Sequence, residues 1–337
     1  MTGLERLTAA VRFERPDRVP VLPQVFGHAA RLAGVPLRDY LTTPGELARC
    51  QLGALERYGA DAVFALLDVN VETEALGSRL RYEADVYPSV ERHALAAPSA
   101  VAGLQVPDPT TAGRMPLCLD AARGLRRAVG DAVAVVGCVL GPMTLACQLL
   151  GAERALYAAV DAPEDFERLL DFAVAVELRF GQAQLEAGAH LCAVFEPSAS
   201  PAVVPPALFR ELLAGRLRRL NEGLTRAGSL ANWLHVAGPV LPILPLYRAC
   251  RADIGNIDYC VAPEQARAAV PALCLDGNVR PLAFVDAEPD AIAAAAAAAL
   301  AAAGPTGFIL SSGCEIPLEA RPECVDALVA AARLTGG

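Results

Sequence analysis

The sequence of 337 residues contains no lysine, so arginine supplies all 29 of its basic residues. This absence excludes a Schiff-base lysine, a pyridoxal phosphate anchor and the lysine of a phosphate-binding P-loop. Histidine is also scarce, with only four positions in the chain. Chemistry that depends on a reactive amine is therefore excluded from the start.

The formal net charge of -9 argues against a nucleic-acid surface, which needs a positive patch to displace counterions. The ten cysteines form no CxxC pair, and in a cytosolic chain they are not expected to make a disulfide framework. The first 20 residues lack the apolar core of a signal peptide. We expect a cytoplasmic protein that binds neither nucleic acid nor a membrane.

Eight short apolar runs, each bounded by turn residues, predict β-strands. They lie at residues 19–26, 61–68, 132–140, 190–197, 229–236, 253–260, 272–278 and 307–313. Helical segments alternate with them: one is predicted to have a cap at Thr43 and to end at Gly59, and a longer one covers 161–188. This alternation favours a (β/α)8 TIM barrel over a doubly wound sheet.

No internal repeat or long linker divides the chain, so the sequence predicts a single domain over residues 1–337. The longest excursion between predicted strands covers residues 69–116. We predict that it is an inserted segment near the mouth of the active site or at a partner-facing surface. The alanine-rich tract at 288–304 is bounded by acidic residues and a glycine and is typical of an outer barrel helix.

Catalytic groups in a barrel gather at the carboxyl ends of the strands. Polar or metal-ligating residues stand near those ends at Gln24, His28, Asp68, Glu196, His235, Asp258, Cys260, Asn278 and Cys314. Packing alone does not explain why so many apolar strands end in such residues. Competing structural roles stay open for some of them: Glu196 as a cap, Asn278 as a tie between loops, and His235 as a histidine bonded to a backbone carbonyl.

These strand ends resemble the uroporphyrinogen decarboxylase superfamily, and within it the corrinoid-dependent methyltransferase branch. The resemblance covers essentially the whole chain. It rests on the order of six stretches: "DRVPVLPQVFGHAARLAG", "YGADAVFALLDVNVETEALG", "PDPTTAGRMP", "VVGCVLGPMTLA", "LDGNVRP" and "GFILSSGCEIPLEA". It implies the same barrel fold, with Asp68 at the place of the decarboxylases' catalytic aspartate.

The decarboxylases bind a tetrapyrrole with many carboxylates through an arginine-rich loop after the first strand. Here that loop reads "FGHAARLAG" and keeps only Arg31, which cannot supply several bidentate forks. The decarboxylases also carry a histidine after the last strand, where this chain has Cys314. Decarboxylation is therefore the alternative function, and methyl transfer is the expected one.

In the methyltransferases, the resemblance implies a zinc site of the form HxC…C that holds an acceptor thiol as a thiolate. His235 and Cys314 match two of its three ligands, but Ala237 stands where the third ligand is expected, and alanine cannot bind a metal. Two explanations stay open. Glu196 or Cys260 completes a three-ligand site, or zinc is absent and the methyl donor is not a thiol.

The resemblance thus implies catalytic roles for His235, Cys314, Glu196 and Asp68, with the first three also as candidate zinc ligands. Gln24, His28 and Asn278 are the candidate cofactor-binding residues. The corrinoid is expected on a partner corrinoid protein, because no separate cobalamin-binding domain is evident in the sequence. A small methyl donor or acceptor is the other expected partner, and a homodimer is a further expectation. A non-catalytic corrinoid-binding barrel is the remaining alternative.

Overall fold

The computed structural model describes residues 1–334, and its main feature is a curled, parallel β-sheet. Residues 335–337 of the predicted domain lie outside the described part. In chain order the strands are β1 (Ala62–Phe64), β2 (Arg79–Arg81), β3 (Ser89–Arg92), β4 (Ala134–Leu140), β5 (Leu191–Phe195), β6 (Asn232–His235), β7 (Ile254–Asn256), β8 (Cys274–Val279) and β9 (Phe308–Ser312). Seven of these, all but β2 and β3, correspond to seven of the eight predicted strands.

The parallel sheet has the order β1-β4-β5-β6-β7-β8-β9, so each strand lies beside the next parallel strand in the chain. Strand β4 is buried along its whole length, as expected when the barrel interior covers one face and helices cover the other. This sequential order, with helices between the strands, confirms the predicted barrel class.

The first predicted strand, residues 19–26, is not a regular strand, and that part of the prediction is wrong. Pro20 and Pro23 have no amide hydrogen, so the segment cannot make a continuous ladder. It still fills the eighth position of the barrel. The amide of Leu22 donates to the carbonyl of Leu310 over 2.9 Å, and the amide of Leu310 donates to the carbonyl of Pro20 over 2.9 Å.

On its other side, this segment is joined to β1 through Asp61. The amide of Asp61 donates to the carbonyl of Val21 over 3.0 Å, and the Asp61 carboxylate accepts from the Val21 amide over 2.8 Å. The same carboxylate pairs with Arg18 and Arg6. A buried acid with two arginine partners thus closes the barrel between its first and last strands.

The helices surround the sheet in the expected alternation. They are α1 (Gly3–Val11), α2 (Phe26–Leu32), α3 (Leu37–Thr42), α4 (Glu46–Tyr58), α5 (Val71–Ala75), α6 (Met115–Val129), α7 (Pro142–Leu150), α8 (Ala152–Asp161), α9 (Pro163–Glu186), α10 (Pro206–Leu208), α11 (Gly215–Arg226), α12 (Pro263–Ala269), α13 (Ala283–Asp286), α14 (Pro289–Ala303) and α15 (Pro322–Arg333). A π-helical stretch, Phe209–Ala214, joins α10 to α11.

The limits of α4 show one correct prediction and one wrong one. The helix ends at Gly59, whose φ of 64° lies in the left-handed region that glycine adopts without steric cost. The predicted cap at Thr43 does not form. Gly45 precedes the first helical residue instead, and no side chain caps the amino terminus.

The segment 69–116 contains α5, the antiparallel hairpin of β2 and β3, and a 3-10 turn at Pro98–Gly103. Part of the hairpin reaches the carboxyl ends of the barrel strands, because Tyr87 and Pro88 line the cavity there. Whether the segment is an insertion relative to a plain barrel stays a prediction. Within residues 1–334, every helix is too short or too polar to cross a bilayer.

Replacement of the closing carboxylate tests this account of the fold. Asp61→Asn should lower the free energy of unfolding by about 3 kcal/mol, because it leaves the two partly buried arginines without their shared counter-charge. Asp326→Asn is the control: it removes an exposed partner of Arg57 and should change stability only slightly. Denaturant titration of both variants measures the difference. Equal, small effects would contradict the role of Asp61.

Candidate functional site

A cavity of about 200 Å³ opens where the barrel strands end. Four of the predicted site residues line it together: Gln24, Asp68, His235 and Cys314. Its remaining lining residues are Phe26, Leu66, Leu67, Val69, Asn70, Tyr87, Pro88, Phe195, Pro197 and Glu315. The cavity therefore combines apolar walls with a few convergent polar groups, which is typical of a small-molecule site.

A larger depression of about 820 Å³ lies elsewhere on the protein. Its walls come from the segment that precedes the first barrel position, 15–19, and from the end of α14 and the turn before β9. That is the amino-terminal face of the barrel, where residues support stability and not catalysis. We therefore assign the functional site to the smaller cavity at the opposite face.

His235 is the last residue of β6 and is almost fully buried. Neither of its ring nitrogens has a hydrogen-bond partner within the described protein, and its ring packs against Phe195 with the centroids 4.6 Å apart. Burial lowers the pKa of His235 to about 3. The imidazole is therefore neutral and offers one donor and one acceptor to a bound molecule.

Gln24 lies in the segment that closes the barrel and is fully buried. Its backbone carbonyl accepts from the amide of Ile316 over 3.0 Å, which fixes the residue beside the loop that carries Cys314. Both polar atoms of its side-chain amide lack a partner among the described residues. A buried, unsatisfied amide costs stability unless a ligand or water completes its hydrogen bonds.

The loop after β9 brings Cys314 and Glu315 to the cavity. Burial raises the pKa of the Cys314 thiol to about 12, so this sulfur stays protonated. Burial likewise raises the pKa of Glu315 to about 7. The hydroxyl of Tyr87 donates to Glu315 over 2.5 Å and accepts from the amide of Gly27 over 2.8 Å. This chain of bonds fixes the 69–116 segment over the cavity.

Asp68 contributes to the cavity wall, but its oxygens already have partners. Arg114 donates to both of them, over 2.5 and 3.2 Å, and the amide of Asn70 donates over 2.7 Å. Arg114 also pairs with Glu74 over 2.6 Å. Asp68 is therefore held in place within an ion-pair network in which two carboxylates share one guanidinium.

Glu196 follows β5 but serves the amino terminus of α7. Its two carboxylate oxygens accept from the amides of Met143 and Thr144, over 2.7 and 2.9 Å. A carboxylate at this end of a helix is stabilised by the helix dipole. Burial raises the pKa of Glu196 to about 7. This is the capping geometry that the sequence left open, and Glu196 is not among the cavity-lining residues.

His28 and Asn278 also contact other parts of the protein and not the cavity. His28 bonds through Nε2 to the hydroxyl of Tyr58 over 2.8 Å, and burial lowers its pKa. The side-chain amide of Asn278 donates to the carbonyl of Val261 over 2.8 Å, so it ties two loops together. Cys260 is exposed and is likewise absent from the cavity lining.

Glu315 and Tyr87, which line the cavity, and Arg114, which bonds to Asp68, were not predicted from the sequence. Glu315 directly follows Cys314 in the turn "SSGCEIP", so its position after a strand was available as a signal. Arg114 lies in the family-like stretch "PDPTTAGRMP". Tyr87 belongs to a hairpin outside the barrel repeat, and no pattern in the sequence places it over the rim.

The residues present do not fit a three-ligand zinc site. Ala237 offers no donor atom, and both oxygens of Glu196 are used by the α7 amides. Within residues 1–334, no group of three or more His, Cys, Asp or Glu side chains is arranged to hold a metal ion. Asp68 and Glu315 line the same cavity as His235 and Cys314, but these side chains are not arranged around a common metal position.

Comparison with known proteins places this geometry in context. The family profile described as uroporphyrinogen decarboxylase (URO-D) matches residues 2–334. The chain is 28% identical over 335 residues to the methylcobamide:CoM methyltransferase MtaA of Methanosarcina barkeri (strain Fusaro), covering 97% of this chain and 96% of that protein. It is also 28% identical over 298 residues to the uroporphyrinogen decarboxylase of Azoarcus sp. (strain BH72), covering 85% and 81%.

Among solved structures, a methyltransferase from Methanosarcina mazei superposes with a TM-score of 0.91. It is 29% identical in sequence, and the alignment covers 99% of each chain. The likeness therefore extends over the entire barrel, including the loops that carry the cavity.

Two buried glutamines form a matched pair that tests whether the cavity is built for a ligand. The side chain of Gln184 bonds to both the amide and the carbonyl of Cys138, over 2.9 and 2.7 Å. The side-chain amide of Gln24, in contrast, has no hydrogen-bond partner among the described residues. Gln184→Leu should cost about 2 kcal/mol, because it orphans buried backbone groups, and Gln24→Leu should be neutral or stabilising. Thermal or denaturant unfolding measures both. A comparable loss for Gln24→Leu would show that Gln24 is structural.

The conclusion that the residues present do not form a complete zinc site is tested at position 237. The wild-type protein should lose zinc during dialysis against a chelator, and Ala237→Cys should retain more, because a thiolate is added beside His235. Ala237→Ser is the control, since it adds a side-chain atom without a thiolate. Elemental analysis after dialysis gives the answer. A full equivalent of zinc in the wild type would mean that other ligands complete the site.

Proposed function

Because the chain belongs to the uroporphyrinogen decarboxylase family, we propose that it is a corrinoid-dependent methyltransferase. In this proposal it moves a methyl group between a cobalamin on a partner corrinoid protein and a small molecule in the cavity. Two proteins named as methyltransferases support it, since each matches this chain over nearly its full length. The matched uroporphyrinogen decarboxylase covers a smaller share of the chain.

The observation that carries the proposal is the lining of the cavity. Its ionisable side chains are Asp68, Tyr87, His235, Cys314 and Glu315, and no arginine is among the lining residues of the described chain. A tetrapyrrole with many carboxylates would need several cationic forks there. At about 200 Å³ the cavity is also smaller than sites for drug-sized molecules, about 300–1,000 Å³. A small methyl carrier is the better match.

The roles of the protein in this reaction are binding, orientation and exclusion of water. A corrinoid would supply a cobalt that accepts or donates the methyl carbon. Gln24 and His235 present uncharged hydrogen-bonding groups to the small molecule, and the Phe26 and Phe195 rings exclude water from it. Positioning of this kind lowers the barrier to a transfer between two separate molecules.

The rim around the cavity supports docking of a partner. Exposed apolar side chains occupy segments that follow the carboxyl ends of several strands: Val69, Val203, Tyr259, Leu282 and, in α13, Val285, with Val86 from the hairpin segment. Exposed apolar side chains at the mouth of a cavity are a feature that a protein partner can cover. A corrinoid protein that covers this face would bring its cobalamin to the mouth of the cavity.

Decarboxylation of uroporphyrinogen is the second candidate, favoured by the matched decarboxylases and by the acid at Asp68. The pairing of Asp68 with Arg114 argues against it, because this arginine is already occupied by two carboxylates of the protein. Coproporphyrinogen formed at enzyme-like rates under anaerobic conditions would establish decarboxylation. A non-catalytic corrinoid-binding barrel would instead bind cobalamin without transferring a methyl group.

Two cysteines provide a test with a built-in control. Cys314→Ala should lower methyl transfer to or from cobalamin about 10- to 100-fold, because it alters the wall that positions the reactants. Its effect on stability should stay within about 0.5 kcal/mol, as is usual near a surface. Cys274, fully buried in β8, should behave in the opposite way: Cys274→Ala should cost about 1 kcal/mol and keep its activity.

Methylcobalamin absorbance and thermal unfolding measure the two effects. Full activity in Cys314→Ala, or a large loss of its stability, would mean that this cysteine has a structural role.

A further inference from the structure

Aromatic rings form part of the wall of the cavity. Phe26 and Phe195 meet edge to face, with their centroids 5.8 Å apart, and Tyr87 adds a third ring from the hairpin segment. The face of an aromatic ring carries partial negative charge and attracts cations, including methylated ammonium groups. Aromatic rings in the wall therefore suit a cation better than aliphatic side chains would.

The charges around the cavity also favour a cation over an anion. Asp68 and Glu74 share the single guanidinium of Arg114, so this group of three carries one surplus negative charge. Glu315 lies on the wall and accepts a hydrogen bond from Tyr87. No arginine is part of the wall within residues 1–334. An anion in the cavity would thus be desolvated beside a group of net negative charge, with no arginine on the wall to pair with it.

Gln24 and His235 complete the site. Both side chains are more than nine-tenths buried, both line the cavity, and their polar atoms lack partners in the described protein. The amide nitrogen of Gln24 and the neutral imidazole supply donors for a polar substituent on the ligand. The site therefore fits a small molecule with a cationic methylated head and a hydrogen-bonding tail.

We propose that the small-molecule partner is a methylated onium compound, a quaternary ammonium or a sulfonium, and not an anionic thiol. This inference rests on the proposed methyl transfer. The carbon–nitrogen or carbon–sulfur bond breaks, and its electron pair stays on the heteroatom, which leaves as a neutral amine or thioether. The methyl carbon bonds to cobalt through the electron pair of a cob(I)alamin on the partner, and the cobalt passes from the +1 to the +3 state.

This chemistry is consistent with Ala237. An onium group is already an activated methyl donor, because its leaving group departs uncharged and needs neither a proton nor a Lewis acid. A thiol acceptor, in contrast, must be held as a thiolate, and the protonated Cys314 and neutral His235 give no charge to hold one. The lost ligand at position 237 and the acidic, aromatic wall point to the same class of substrate.

Choline and 3,3-dimethyl-1-butanol test the proposal directly, because they have the same shape and differ in charge. Isothermal titration of the purified chain, without any corrinoid, should show choline binding about tenfold more tightly than the alcohol. A sulfonium probe, trimethylsulfonium, should also bind saturably, and 2-mercaptoethanesulfonate should not. Equal affinities for choline and the alcohol, or binding of the sulfonate alone, would overturn the proposal. So would the absence of saturable binding by both onium probes.

Matched variants locate the binding in the cavity. Glu315→Gln keeps the shape of the side chain. At a pH well above the Glu315 pKa of about 7, where the wild-type carboxylate is ionised, it should weaken choline at least threefold while leaving the alcohol unchanged. Gln182→Leu, on α9 outside the cavity, should bind all probes as the wild type does. Unchanged choline affinity in Glu315→Gln would overturn the charge argument. Onium binding without any methyl transfer to cob(I)alamin would support the ligand class and contradict the proposed function.

Discussion

The carboxylate of Asp61 holds the barrel closed, and the position of the cavity depends on that closure. It joins the segment around Val21 to β1, while Leu22 and Pro20 bond to β9 on the other side. If the segment moved away, Gln24 would leave the cavity, and α2, which begins at Phe26, would lose its place. Elsewhere in the sheet, a ladder of backbone hydrogen bonds joins neighbouring strands. At this irregular, proline-containing segment, the carboxylate of Asp61 supplies part of that connection.

The cavity is costly for the fold that surrounds it. Gln24 and His235 are buried with their polar atoms unsatisfied, which lowers stability relative to apolar side chains of similar size. Gln184, which is buried outside the cavity, has both ends of its side-chain amide bonded to the backbone of Cys138. Local departures of this kind are expected where a site is kept for binding and not for stability.

The alternation of apolar runs and helices was enough to predict the barrel, because parallel strands buried on both faces leave a plain signal in sequence. The same pattern predicted a regular strand at residues 19–26, and this was wrong because two prolines make the apolar run irregular. At Thr43, a good capping residue lies too far from the start of α4 to serve it, and Gly45 takes its place. Both errors have local causes: two prolines break the ladder of backbone bonds at 19–26, and Pro44 and Gly45 separate Thr43 from the first residue of α4.

The site was predictable only in part. Residues after strands fall on the correct rim, so Gln24, Asp68, His235 and Cys314 meet in one cavity. Three other residues also lie near the ends of predicted strands but bond elsewhere: Glu196 to α7, His28 to Tyr58 and Asn278 to Val261. Position along a strand does not tell which neighbour a side chain meets. Tyr87 belongs to the hairpin segment outside the strand–helix alternation, so that alternation does not predict its position.

Methyl transfer is the central claim, and an isotope measurement tests it most directly. The protein is mixed anaerobically with cob(I)alamin and a panel of small methyl donors labelled with carbon-13, and the label is followed by NMR. Labelled methylcobalamin should form only when the folded protein is present, at a rate that rises with its concentration. Label that stays on every donor, while the same protein converts uroporphyrinogen to coproporphyrinogen, would contradict it.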